Sequence, residues 1–155
     1  MITCHSSSRR SAVSSIGVAE AFERAPLLAE RVGEDGDADA IIARARAALA
    51  SMSEAERIAV LDAHPRIGAT AGLSSRSAAE QSAGTTDRAT LEALERLNAE
   101  YEHAFGFRFV VFVRGRSRAE IVPVLEARLG RTRAPELATG LDEFLAIARD
   151  RLERG

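Results

Sequence analysis

Residues 86–113 read TDRATLEALERLNAEYEHAFGFRFVVFV, and a change of rhythm inside this stretch decides the fold. From 86 to 105, Leu91, Leu94, Leu97 or Asn98, Tyr101 and Phe105 recur at intervals of three and four, the mark of an α-helix with one buried stripe. From 107 to 113, FRFVVFV, aromatic and β-branched residues run together as they do in a strand. The chain offers that run no obvious partner, and one strand alone makes no sheet. The reading is an extended, buried segment within an all-α fold.

The flanking segments agree. Ile16 to Val32 carries Val18, Phe22 and Leu28 and reads as one or two short helices interrupted near Pro26. GEDGD at 33–37 is a turn-rich loop, and ADAIIARARAALASM at 38–52 is an alanine-rich helix. Ser53 and Glu56 have the spacing of a capping box. They open a helix that turns Ile58, Leu61 and Val60 inward and ends at His64, because Pro65 disfavours the α conformation in the residue before it. Residues 68–86 are poor in large apolar groups and read as loop around one short helix near Ser77 to Ala83. Ser117 and Glu120 repeat the capping-box spacing ahead of Ile121, Val124, Leu125 and Leu129, with Gly130 as the stop. Pro135 suits the first turn of a last helix whose inner face holds Leu137, Leu141, Phe144, Leu145, Ala148 and Leu152. The expectation is a compact bundle of about seven or eight helices.

The chain has 155 residues, 46% of them hydrophobic and 28% charged, which suits one globular domain over 16–155 behind a polar tail at 1–15. A net charge of −2 recruits neither nucleic acid nor an anionic membrane. No apolar run is long enough for a transmembrane helix, and MITCHSSSRRSAVSS lacks the apolar stretch of a secretory signal, so a cytoplasmic location is the default. Every basic residue is arginine, which excludes Schiff-base chemistry on a lysine. With Cys4 the lone cysteine, and without the His-x-x-x-His spacing among three histidines, no metal is expected. Glycine-rich phosphate loops are missing too, so no nucleotide cofactor is expected.

Four stretches can carry chemistry. In HPRIG, 64–68, the proline restricts the backbone of His64, whose imidazole titrates near neutrality and can transfer a proton. The commoner reading of such a histidine is that it covers the helix end and bonds its last carbonyls. In SAAEQ, 77–81, Ser77 and Glu80 are again spaced as a capping box. If the loop folds over His64, Glu80 and Gln81 bring a carboxylate and an amide beside the imidazole, a set able to bind a small polar ring. The extended run Phe109, Val110, Val111, Phe112 and Val113 has amides and carbonyls that need partners, from a heteroatom-rich ligand or from the protein itself. Asn98 and Tyr101 beside it read as core-edge residues, and His103 as surface. Arg151, in IARDRL, falls on the apolar side of the last helix, where an arginine either binds a carboxylate or snorkels to water.

Taken in order, AHPRIG at 63–68, SAAEQSAG at 77–84, LNAEYEHAFGFRFVVFVRGRS at 97–117 and ELATGLDEFLAIARDRL at 136–152 resemble the OHCU decarboxylase family. These enzymes convert 2-oxo-4-hydroxy-4-carboxy-5-ureidoimidazoline to (S)-allantoin, the last step of urate breakdown. The resemblance implies an all-helical homodimer acting on a small-molecule substrate without cofactor or metal. It implies His64 as the catalytic proton donor, with Pro65 lining the same pocket. Ser77, Glu80 and Gln81 match the substrate-binding cluster, Glu80 meeting the hydroxyl on the carbon that loses CO2. Phe109 to Val113 match the segment that offers backbone groups to the ring and ureido arm, and Arg151 matches an arginine that meets a substrate anion. The chain departs from the family at Arg108, commonly proline there, and at Leu27, where a tryptophan is common. From a different class, a non-catalytic helical module that binds a ureide or a similar small ligand fits the same residues.

Overall fold

The computed structural model describes residues 16–22, 25–69 and 87–154. The tail at 1–15 and the helix expected near Ser77 to Ala83 lie outside them. Seven helices occur among the described residues: α1 (Val18–Ala21), α2 (Pro26–Val32), α3 (Ala38–Ser51), α4 (Glu54–Asp62), α5 (Arg88–Phe105), α6 (Arg118–Leu129) and α7 (Arg133–Arg154). No strand occurs among those residues, and no helix there is long and apolar enough to cross a membrane.

Local chemistry sets where each helix begins. Asp37 and Asp87 accept hydrogen bonds from the amides of Ala40 (2.9 Å) and Thr90 (2.7 Å). Both expected capping boxes form in full, Ser53 with Glu56 and Ser117 with Glu120. Each satisfies two amides that the first turn would otherwise leave without acceptors. α5 stops at Gly106, whose φ of 80° is left-handed and costs a glycine nothing. Gly130 also follows a helix, but its φ of −79° is open to any residue, so left-handed freedom does not explain it. α4 ends at Asp62, with Ala63 as its cap, rather than at His64 itself.

α7 is the organising element. At 22 residues it is about 33 Å long, and it packs against α1, α3 and α4, while α5 packs against α6. Gly140, inside α7, would be a poor choice on propensity alone. A β-carbon there would sit 3.2 Å from Cδ1 of the fully buried Leu61, so its absence brings α4 close. Leu28, Leu61, Leu94, Phe107, Phe109, Ile121, Leu125 and Phe144 form the centre of the core. Burial of each such side chain contributes about 1.5–3 kcal/mol.

Asn98 and Tyr101 correct the expectation of core-edge positions. Both are fully buried, and Tyr101 lies among Phe105, Phe107 and Phe109, with ring centroids 4.7, 6.0 and 5.2 Å away. Each finds a partner for its donor, although among the described residues Asn98 Oδ1 accepts no hydrogen bond. Asn98 Nδ2 donates to the carbonyl of Ile67 at 3.0 Å, and the Tyr101 hydroxyl donates to Glu136 at 2.5 Å.

Candidate active site

His64 follows α4 by two residues and is 5% exposed. Its backbone N–H donates to Leu61 O at 3.1 Å, and its ring lies 5.1 Å from that of Phe144, tilted by 45°. Phe144 in turn stacks on Phe22 at 5.9 Å. Arg151 stands seven residues beyond Phe144 on α7, on the same face and about 10.5 Å along the axis. It is 2% exposed, and its Nη1 reaches the carbonyl of Ala21 at 3.4 Å. One stripe of α7 thus carries the aromatic ring against the imidazole and, two turns on, a buried guanidinium. A groove of about 350 Å³ floored by Leu49, Leu137, Leu141 and Leu145, and a 260 Å³ cavity beside Ile67 and Asn98, lie elsewhere. Neither is lined by His64, Phe144 or Arg151.

The turn that presents His64 is fastened along its length. Gly68 has φ 82°, and a β-carbon on it would come within 3.0 Å of the Leu94 side chain, so only glycine fits. Arg66 makes two bonds to Glu102, at 2.8 and 2.5 Å. Arg108, three residues beyond the end of α5, also holds the turn: its Nη1 donates to the carbonyls of Asp62 (3.0 Å) and His64 (2.7 Å), and its backbone N–H donates to Asp62 Oδ1 (2.9 Å). Glu102 also accepts from Arg108 Nε at 3.2 Å. The hydrogen bond from Arg66, and after it the one from Arg108, holds the Glu102 carboxyl below its ordinary range against the opposing effect of burial. Carbonyls at the end of α4 are therefore closed by Arg108, a task that sequence alone offered to the His64 ring.

The extended run is buried as expected, with Phe109, Val110, Val111 and Val113 inside and Phe112 half-buried. Part of its backbone pairs within the protein. Arg128 Nη1 donates to Val110 O at 2.7 Å, Glu143 accepts from Phe112 N–H at 2.9 Å, and Arg116 holds the carbonyls of Phe112 (2.8 Å) and Val113 (2.9 Å). Among the described residues nothing hydrogen-bonds the N–H or the C=O of Val111. Both answers foreseen for this backbone are left in play: the carbonyls of Val110, Phe112 and Val113 and the N–H of Phe112 are paired internally, and Val111 is bonded at neither group among those residues.

Arg128 and Glu136 belong to a buried network that sequence reasoning did not single out. Glu136, fully buried at the start of α7, accepts from Tyr101 and from Arg128 Nε, each at 2.5 Å, and lies 3.4 Å from Arg131. Arg128 sits over the Phe109 ring at 4.5 Å while gripping Val110 O. Burial, and then the hydrogen bond to Glu136, push the Tyr101 phenol far above its ordinary value, so it stays neutral and donates. A signal did exist: Ile121, Leu125 and Arg128 are spaced by four and three, which places the arginine on the apolar stripe as surely as Arg151.

Pro65 is half-buried beside His64. Ser77, Glu80 and Gln81 lie outside the described residues. Among the described residues, no group of three histidine, cysteine, aspartate or glutamate side chains gathers as a metal site.

A sequence profile of the OHCU decarboxylase family matches residues 6–153. The 2-oxo-4-hydroxy-4-carboxy-5-ureidoimidazoline decarboxylase of Haloferax volcanii is 31% identical over 139 residues, 86% of this chain and 83% of that one. Its counterpart from Halalkalicoccus jeotgali is 30% identical over 142 residues, covering 88% and 81%. A crystal structure of OHCU decarboxylase in the presence of (S)-allantoin superposes with a TM-score of 0.73 at 24% identity, over 90% of this chain and 96% of that one. That of (S)-allantoin synthase gives 0.67 at 21% identity, over 88% and 47%. These two show a shared fold; with the profile and the archaeal relatives, they make this chain a member of the OHCU decarboxylase family.

Proposed function

We propose that the protein decarboxylates 2-oxo-4-hydroxy-4-carboxy-5-ureidoimidazoline and protonates the product on one face to give (S)-allantoin. The observation that carries this is the buried His64, held at both of its peptide groups and packed against Phe144, on the α7 stripe that also carries the buried Arg151, in a chain of this family.

The chemistry asks little of a cofactor. When the bond to CO2 breaks, its electron pair passes to a carbon conjugated with the imidazoline ring, and the ring is the electron sink. The protein has to hold the carboxylate out of the ring plane, meet the hydroxyl on the same carbon, and deliver one proton. His64 delivers the proton. Its imidazole, packed on Phe144 and screened from water, can approach only one face of a bound ring. Arg151 meets a substrate anion. Within the run Phe109 to Val113, the N–H and C=O of Val111 offer a donor and an acceptor to the ureido arm, while the groups of Phe112 and the carbonyls of Val110 and Val113 are held by the protein. Glu80 meets the hydroxyl, Ser77 and Gln81 bind the ring, and Pro65 lines the pocket. On the same reading the chain is one domain over 16–155 and works as a cytoplasmic homodimer without metal.

The test is to mix purified protein with freshly generated substrate, without added metal, and follow the optical activity of the allantoin formed. Rapid formation of the S enantiomer is the expected result. Racemic product, formed no faster than in buffer, ends the proposal. A thermal midpoint raised by allantoin in that same protein would then favour the binding module.

A further inference from the structure

We propose that Arg108 is a positioning residue of this reaction: by clamping the carbonyl of His64 it fixes the direction from which the imidazole meets the substrate. The inference rests on His64 being the proton donor.

Two peptide groups flank the α-carbon of His64. The preceding one is held through its N–H, bonded to Leu61 O at 3.1 Å, and the following one through its C=O, bonded to Arg108 Nη1 at 2.7 Å. With both fixed, the Cα–Cβ vector has no backbone freedom, and contact with Phe144 restricts the ring beyond it. Pro65 contributes only a preference for extended backbone at His64. It does not choose among the extended conformations, whereas a hydrogen bond to the carbonyl does.

Arg108 is itself well placed to be rigid. The same Nη1 binds Asp62 O, the backbone N–H binds Asp62 Oδ1, and Nε is held by Glu102, which Arg66 anchors by two further bonds. A planar guanidinium held at two of its nitrogens and tied to its own backbone transmits position with little play. Its charge also lies at the carboxyl end of α4, where the helix dipole favours a cation. Closing a helix end needs only the Asp62 carbonyl. Reaching one peptide further, to His64, is what couples this cation to the chemistry.

A shift of about 1 Å in a catalytic group can cost on the order of a hundredfold in rate. Arg108→Ala is therefore expected to lower kcat by about tenfold or more, to leave KM within about twofold, and to lower the enantiomeric excess of allantoin. Arg108→Lys, able to reach one carbonyl, recovers part of the kcat and of the chirality; Glu102→Gln, which loosens the guanidinium, falls between. All are measured per folded molecule, below the thermal transition, beside Arg46→Ala, which removes an exposed ion pair with Asp142 and should match wild type. If Arg108→Ala fails to fold, the lysine and Glu102→Gln variants decide by the same readouts. Wild-type kcat and chirality in the folded variants overturn the proposal, as does a rise in KM alone. His64→Asn separates the two levels. An inactive His64→Asn beside unaffected Arg108 variants removes only the positioning role; a His64→Asn enzyme with wild-type rate and chirality removes the proton-donor reading and this inference with it.

Discussion

Glutamine at position 136 would keep the shape of Glu136 and remove its charge. The residue is fully buried and accepts from the Tyr101 hydroxyl and from Arg128 Nε, each at 2.5 Å, with Arg131 at 3.4 Å. The amide oxygen of a glutamine can still accept from Tyr101, so the loss falls on Arg128. That guanidinium is 6% exposed, and it would be left without its counter-charge in a setting that penalises an isolated cation. Breaking one side of a buried pair costs about 3–5 kcal/mol. For a chain of this length each kcal/mol moves Tm by about 2–4 °C, so Glu136→Gln should lower Tm by on the order of 10 °C. Urea unfolding followed by circular dichroism, with a thermal scan, measures it. The paired variant Arg128→Met/Glu136→Leu should cost clearly less than the sum of its single changes, because neither charge is then stranded. A Glu136→Gln protein within about 1 kcal/mol of wild type, or additive single and double variants, would refute the reasoning.

His64→Asn should abolish turnover of the ureidoimidazoline while keeping Tm within about 5 °C of wild type; a larger fall would make the histidine a packing residue first. Ser53→Ala, removing one half of the α4 capping box, should cost about 1 kcal/mol in urea unfolding. The clamp on the 64–68 turn should respond to acid in a defined direction. Because the Glu102 carboxyl is depressed in the folded chain, its stabilisation is present above the ordinary carboxylate value and is lost as pH falls through the folded one. The difference in Tm between wild type and Glu102→Gln should be constant above about pH 6 and shrink towards pH 3. A difference that widens in acid would contradict this.

Much of this architecture could be read from spacing, because a helix buries one face and the period of that face survives in the sequence. The stripe from Leu94 to Phe105, the two capping boxes and the inner face of α7 were all legible on that ground. The lone extended run was legible too, since a strand-like heptapeptide without a partner has to be covered rather than paired. Polar residues resisted this reasoning. Asn98 and Tyr101 read as core-edge residues in the sequence, whereas their full burial depends on the carbonyl of Ile67 and the carboxylate of Glu136, 31 and 35 residues away. Glu136 sits in the first turn of a helix, where a carboxylate is already explained by the dipole. Arg108 stood out only as a departure from the family, because its two carbonyl partners lie 46 and 44 residues back along the chain. For His64, sequence offered capping or catalysis. In the structure Arg108 holds the carbonyls of Asp62 and His64, a partner 44 and more residues away that spacing could not point to.

α7 also acts as a ruler. Phe144, against the imidazole, and Arg151 are fixed to one rigid rod, so the reach from the imidazole contact to the guanidinium is set by residue count and not by any loop. Inserting one residue between them would lengthen that reach by only about 1.5 Å but swing Arg151 by about 100° to another face. Changes in this span are therefore not graded: side chains can be exchanged, but length cannot be adjusted in small steps. On the proposed reading, a change in the length of substrate accepted has to come from outside this span of α7.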